Sequence, residues 1–191
     1  PRFIQHSMRE LLRTAIILQA LGWRDQDDAD FLRNDPAINV SISDEKSVHP
    51  LTDGAKGLAS QPTLSRLHDA LSSDENRAIL HDFIMESAAR RIKADNNGHR
   101  QRRITLDIDS IPVEVDGHQP GAEFNGYYDA KIFHPLIATA AESRDILGVR
   151  LRPGNVHTAE GGLDFILEMV TSAQEKLCQV AAVRRDAGFP N

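Results

Sequence analysis

At 191 residues, with 40% apolar and 26% charged side chains, the chain has room for one domain and a smaller companion, in the ordinary balance of a globular protein. A formal net charge of −6 argues against a surface that coats nucleic acid all round, while leaving room for local basic clusters. No apolar run nears the roughly 18 to 20 residues of a membrane span and no signal peptide is visible; the single Cys178 precludes an internal disulfide and suits a reducing cytoplasm.

Met8, Leu11, Leu12, Ala15 and Ile16 recur at helical spacing and predict a helix over 7–22, stopped by Gly22. A second short helix is expected over Asp25–Arg33, ended by Asn34-Asp35-Pro36. The polar stretch 41–57 reads as a loop. In LASQPTLSRLHDAL, residues 58–71, Leu64, Leu67, His68 and Leu71 share a helical face. Ser60 or Thr63 can cap its start, and Pro62 sits where a missing N–H costs nothing. Asp74 opens a longer helix to near Lys93, with Leu80, Phe83, Ile84, Ala88 and Ile92 on one side. Asp95–Gly98 breaks it. The expected organisation is an N-terminal helical, DNA-binding region over 1–98 and a second domain over 99–191.

Beyond the break the apolar period changes from 3.6 to 2. Arg103–Asp109 is a strand with Ile104, Leu106 and Ile108 on one face and Thr105, Asp107 and Asp109 on the other. Pro112–Val115 continues extended or turns, and Asp116–Asn125 is a polar loop. Tyr127–Ala140 reads as a second strand region and Ile146–Arg152 as a third, followed by a turn at Pro153-Gly154-Asn155. Glu160–Lys176 reads as a helix with Leu163, Ile166, Leu167 and Val170 inward, and Val180–Arg185 as a fourth strand delivering Asp186. A meander followed by a right-handed crossover sets the fourth strand parallel to the first and beside it. Asp109 and Asp186 then meet at the strands' C-terminal ends. The fold class is α/β: N-terminal helices, then a partial ribonuclease H-like domain of order β-β-β-α-β.

Two carboxylates so placed can hold a pair of Mg²⁺ or Mn²⁺ ions, hard cations that prefer oxygen ligands, for phosphodiester chemistry. Asp109 is preferred as first ligand because it ends its strand before Ser110; Asp107, on the same face, is a possible accessory acid. A lone strand-end Asp more often caps a turn, and it is the partner Asp186 that favours the metal reading. A third carboxylate normally completes such a site, and none can be assigned. Gln61, Thr63, Ser65 and Arg66 suit a recognition helix touching phosphates or base edges, against the plainer reading of an amphipathic bundle helix. Arg100, Arg102 and Arg103 could grip DNA backbone near the site, although most such clusters are solvated loops. His118, His134 and His157 match no zinc spacing. Packing is the default expectation for Trp23, Asn125, Tyr127, Tyr128 and His134.

The run TLDIDSIPVEVDGHQPGAEFNGYYDAKIFHPLIATAAESRDILGVRLRPGNVHTAEGGLDFI, with LASQPTLSRL before it and RRDAGFPN at the end, resembles the DDE transposases of bacterial insertion sequences. The branch is the one whose first motif opens DxDSTP; Ile111 stands where Thr is usual. The resemblance spans roughly residues 5–191. It implies catalytic, metal-binding aspartates at Asp109 and Asp186, with the family's third residue, a Glu, beyond Asn191. By that reading, and from an opening Pro1 rather than Met, the chain is a truncated or processed piece, inactive alone. The resemblance further implies cutting of element ends and joining to target DNA, two Mg²⁺ or Mn²⁺ ions, a homo-oligomer assembled on DNA, and a bacterial cytoplasm or nucleoid without membrane association. Two alternatives stand beside it. One is a DNA-binding remnant or inhibitor of transposition that does not cut. The other is a phosphatase with an aspartate nucleophile, in which LDIDSI would supply Asp107 as nucleophile and Asp109 as acid and base; that fold wants a helix after its first strand.

Overall fold

The computed structural model describes residues 5–23, 27–44, 57–95 and 102–186. It forms two compact units, 1–77 and 78–191. The boundary expected near residue 98 lies outside the described residues.

The first unit is helical. α1 (Met8–Ala20) begins with a capping box: the Ser7 hydroxyl accepts from the Glu10 N–H while the Glu10 carboxylate accepts from the Ser7 N–H. Glu10 is buried and also accepts from the Asp44 N–H at 3.1 Å. α2 (Asp28–Phe31) is a single turn. α3 (Pro36–Ile42) begins at the Pro36 that was expected to end the preceding helix, and it corrects the expectation that residues 41 and 42 are loop. Asp35 caps it by accepting from the Ile38 N–H at 2.9 Å, and a proline in the first turn starts a helix as readily as it stops one. α4 (Gln61–Leu71) starts from Ser60 as expected, burying Leu64 and Leu67. Leu18, Ala29, Ala59 and Leu64 form this unit's core, with Trp23 packed against it.

The second unit carries the sheet. α5 (Asp74–Asp95) belongs mostly to it and buries Met85, Ala88 and Ile92. Leu80 and Phe83, expected inward, are exposed; the small Ala88 in the 85/88/92 row lets the helix approach the sheet. β1 (Arg103–Ser110) alternates as read, Ile104, Leu106 and Ile108 being buried. The expected strand over Tyr127–Ala140 is two strands, β4 (Ala130–Phe133) and β5 (Leu136–Ala140), separated at His134-Pro135. Pro135 has no N–H to continue a ladder, and His134 instead donates its backbone N–H to Arg152. β4 joins β2 (Val113–Glu114) and β3 (Glu123–Asn125) in a small antiparallel sheet of order β2-β4-β3. β3 thus lies inside the stretch expected to be loop.

The main sheet has the order β6-β5-β1-β7, with β6 (Ile146–Arg150) and β7 (Gln179–Arg185) at its edges. β1 pairs antiparallel with β5 and parallel with β7. α6 (Gly162–Lys176) makes the crossover between β6 and β7. With the small sheet set aside as an insertion, the series β1, β5, β6, α6, β7 is the β-β-β-α-β order of a ribonuclease H-like core. α6 buries Phe165, Met169 and Ala173; of the residues expected inward, Ile166 and Val170 pack partly buried against the same core, while Leu163 and Leu167 are exposed. Gly148 on β6 lies under Met169, where a Cβ would collide with the thioether sulfur. One face of the main sheet is therefore sealed by α5 and α6, and the other bears the half-buried Asp107 and the exposed Asp109.

Candidate active site

Strand pairing decides which side chains meet on the face that bears Asp107 and Asp109. The parallel register matches Asp107 with Arg184 and Ile108 with Arg185; Asp109 and Asp186 come next along the two chains and line one depression. Adjacent strands run about 4.8 Å apart, so the two backbones are held at that spacing where β1 and β7 end. A bulge between Ile104 and Thr105 shifts the register by one before this point. It sets the parity that puts residues 184 and 186 on the same side as 107 and 109.

Contacts confirm the parity. Arg184 forks onto Asp107, Nε to Oδ1 at 2.5 Å and Nη2 to Oδ2 at 2.6 Å. The planar guanidinium matches both carboxylate oxygens at once. Asp109 accepts the Ser110 N–H on Oδ1 at 2.8 Å. Asp107, Asp109, Arg184, Arg185 and Asp186 line one open depression of ≈ 420 Å³. The Asp107 charge is compensated by its arginine; Asp109 and Asp186 also line that depression, at the C-terminal strand ends.

The pair also sets the behaviour of Asp107. Hydrogen bonding to Arg184 holds its carboxyl below the ordinary 3.8, and Arg184 is raised in return. A carboxylate depressed on folding contributes stability above the unfolded pKa and loses it as pH falls through the folded one. With its side chain 34% exposed the contribution is screened and small. In carbon-detected NMR, Asp107 is expected to titrate below the ordinary aspartate range, and Arg184→Gln is expected to restore it. An Asp107 that stays low in that variant would show that another group sets it.

Hard carboxylate oxygens at two strand ends fit two of the ligands that a Mg²⁺ or Mn²⁺ ion takes. Among the described residues no cluster of three or more His, Cys, Asp or Glu forms a metal cage. The fit is thus to a shared, open site completed by water, phosphate oxygens or a further carboxylate.

The remaining expected residues lie elsewhere. Gln61, Thr63 and Ser65 are half-buried on α4 of the first unit, and Arg66 is exposed there. Thr63 Oγ1 lies 3.1 Å from Ser60 Oγ, so its hydroxyl already shares the helix start. Arg102 and Arg103 are exposed at the start of β1, at the opposite end of the strand from Asp109; Arg100 lies outside the described residues. Of the histidines, His134 is buried and His157 exposed, its Nδ1 accepting from the Ala159 N–H.

Sequence reasoning missed an aromatic group. Phe124 and Tyr127 are 61% and 88% exposed, and Tyr128 lies partly exposed beside them. They flank the β3–β4 turn, not the start of a strand. The signal was present in Asn125-Gly126, a strong short-range hairpin signature between two extended runs.

Comparison with known proteins follows the geometry. The family model described as transposase DDE domain group 1 matches residues 1–191. No curated protein matches the sequence. Among solved structures, the Mos1 transposase paired-end complex with left transposon end is similar at 10% identity and a TM-score of 0.23, the match covering 90% of this chain and 48% of that one. The chain spans about half the length of that transposase, and a likeness so distant carries no argument about residues. Among the described residues no helix is long and apolar enough to cross a membrane.

Proposed function

The chain belongs to the transposase DDE domain group 1 family, and on that premise we propose that it contributes two of the three metal-binding carboxylates of a DNA transposase, Asp109 and Asp186. The observation that supports this reading is the parallel β1–β7 register, which runs to Ile108 and Arg185, with Asp109 and Asp186 next along the two chains and lining one depression. The transposase acts on the ends of a bacterial insertion element and joins them to target DNA, as a homo-oligomer assembled on that DNA in the cytoplasm.

The roles follow from placement. Asp109 is fixed by a central strand paired on both sides, and Asp186 by the end of its neighbour. Between them they supply four carboxylate oxygens to two Mg²⁺ or Mn²⁺ ions. Such ions, when bound, activate the attacking water or 3′-hydroxyl and stabilise the departing oxygen. Asp107 orients Arg184 and stays out of the ligand set. Residues 1–98 form the DNA-binding region, with Gln61, Thr63, Ser65 and Arg66 towards the duplex; Arg100, Arg102 and Arg103 in the catalytic domain add phosphate contacts.

The phosphatase alternative loses ground on topology. Its fold leads from the first strand through a helix to a parallel neighbour, whereas β1 is followed by the small sheet and then by antiparallel β5.

The test is Mn²⁺-dependent cleavage of DNA carrying the element ends, by this chain and by the chain extended past Asn191 to a third carboxylate. Cutting by the extended protein alone supports the reading. Binding by the 191-residue chain should weaken steeply from low to moderate salt, as counterion release by several phosphate contacts demands. An extended protein that binds ends but never cuts would leave the inert DNA-binding remnant as the function.

A further inference from the structure

The aromatic group beside the carboxylates forms a second, deeper cavity. It has a volume of ≈ 580 Å³, within the range of small-ligand pockets, and its lining includes Phe124, Tyr127, Tyr128, His134 and Ser110. Asp186 lines both this cavity and the depression that holds Asp109. A strand whose phosphate sits between the carboxylates therefore passes the mouth of the aromatic pocket.

Its walls are fixed. Asn125 accepts the Tyr127 N–H on its side-chain oxygen at 3.0 Å and donates Nδ2 to the Gly154 carbonyl at 2.6 Å, tying the β3–β4 turn to the turn after β6. Asp129 closes the turn at φ 52°. Gly154 is the residue that allows this approach, because a Cβ there would collide with the carbonyls of Ile132 and Glu123. Tyr127 stands edge to face with Tyr128, centroids 4.9 Å apart, and Tyr128 with His134 at 5.6 Å. The series runs from an exposed ring inward to a buried imidazole.

That imidazole closes the inner end of the series. His134 is 2% exposed. Its Nδ1 lies 3.3 Å from the Val156 carbonyl oxygen, which can only accept, so Nδ1 carries the proton. Nε2 is then an acceptor, and it is buried with no hydrogen-bond partner. Sealed from the pocket in this way, the imidazole serves as its fixed inner wall behind Tyr128.

We propose that this pocket takes one unstacked nucleobase of the DNA strand that the carboxylates act on, the base stacking against Tyr127 and Phe124. The chemistry selects a base over other flat ligands. Its two π faces match an exposed aromatic platform, and its own phosphate falls towards Asp186. Stacking of this kind tolerates sequence, since every base has a π face. The inference rests on the DNA-processing function proposed above and adds to it a single-strand preference that the carboxylates alone do not give.

The test uses the 191-residue chain and fluorescence anisotropy with two labelled probes: a blunt duplex, and the same duplex with a three-nucleotide single-stranded extension. The extended probe should bind about tenfold more tightly, the worth of one stacked base. Tyr127→Ala should remove that advantage and leave blunt-duplex binding unchanged. Replacing the extension's bases by abasic sugars should do the same to the unaltered protein, and the two losses should not add. Tyr127→Trp should keep the preference. Tyr127 is 88% exposed, so its truncation does not threaten folding. Equal binding of the two probes, or a Tyr127→Ala loss equal on both, overturns the pocket assignment while duplex binding still supports the DNA function. Failure to bind either probe overturns both.

Discussion

Replacing Asp109 or Asp186 by Asn is expected to lower Mn²⁺-dependent DNA cleavage by the extended protein by about 10³-fold or more. The substitution keeps shape and removes the anionic ligand that draws a hard cation to the strand end. Metal-assisted charge stabilisation is worth several kcal/mol of barrier, and each 1.36 kcal/mol is about a factor of ten in rate. Both residues are exposed and lie outside the sealed core, so the variants should fold as the parent does. Because the two ligands act as one unit, the double variant should lose little more than either single one. Asp107→Asn is the discriminating control. It breaks the fork with Arg184 and should cost far less cleavage, since that carboxylate is already occupied by its guanidinium. A loss at Asp107 as large as that at Asp109 would move the first ligand to Asp107. Retained cleavage in both Asn variants would remove the site altogether.

This site is legible in the sequence to the extent that it depends on strand order. The alternation of Ile104, Leu106 and Ile108 against Asp107 and Asp109 fixes the faces of β1, and a helix between two strands implies the parallel pairing with β7. The rest was hidden for identifiable reasons. The helix faces of α5 and α6 were only partly legible because apolar residues surround both helices. Phe83 and Leu163 look as suited to burial as Met85 and Phe165, and only the sheet decides among them. The small β2-β4-β3 sheet was hidden because its strands are two to four residues long, shorter than any periodicity can reveal. The aromatic pocket went with it, since Tyr127 and Tyr128 read as strand residues until the turn is seen. Pro36 misled because a proline marks the start of one helix as readily as the end of another. Only the Asp35 cap distinguishes the two.

Arg152 carries the second large effect. Sequence gives no hint of it, because Arg152 reads only as the last residue of the expected strand Ile146–Arg152. In the structure it is 6% exposed and donates into the loop that follows β6. Nε reaches the His134 carbonyl at 2.8 Å; Nη1 reaches the carbonyls of His157, Thr158 and Glu160 at 3.3, 3.0 and 2.5 Å. One guanidinium thus satisfies four backbone acceptors from two segments, the β4–β5 junction and the loop that leads into α6. Burial lowers its pKa, the nearby Glu160 opposing that shift, so the charge is held at the cost of desolvation and is compensated by backbone dipoles. Arg152→Met keeps most of the volume and removes the side-chain donor from all four carbonyls, of which His157's keeps the Glu160 N–H. A single unsatisfied buried group costs about 1–3 kcal/mol, so a loss of about 3 kcal/mol or more is expected even if some carbonyls find water. For a chain of this length that lowers the melting temperature by roughly 6–12 °C. Arg152→Lys should recover only a minor part, because one ammonium cannot span acceptors on both segments. The same variant tests the wall of the aromatic pocket, since Val156 and His157 are held by this loop. Arg152→Met should therefore lose the preference for single-stranded extensions at temperatures where the main sheet remains folded. A variant as stable as the parent would show that the loop is held by its own turns and that the guanidinium is merely accommodated.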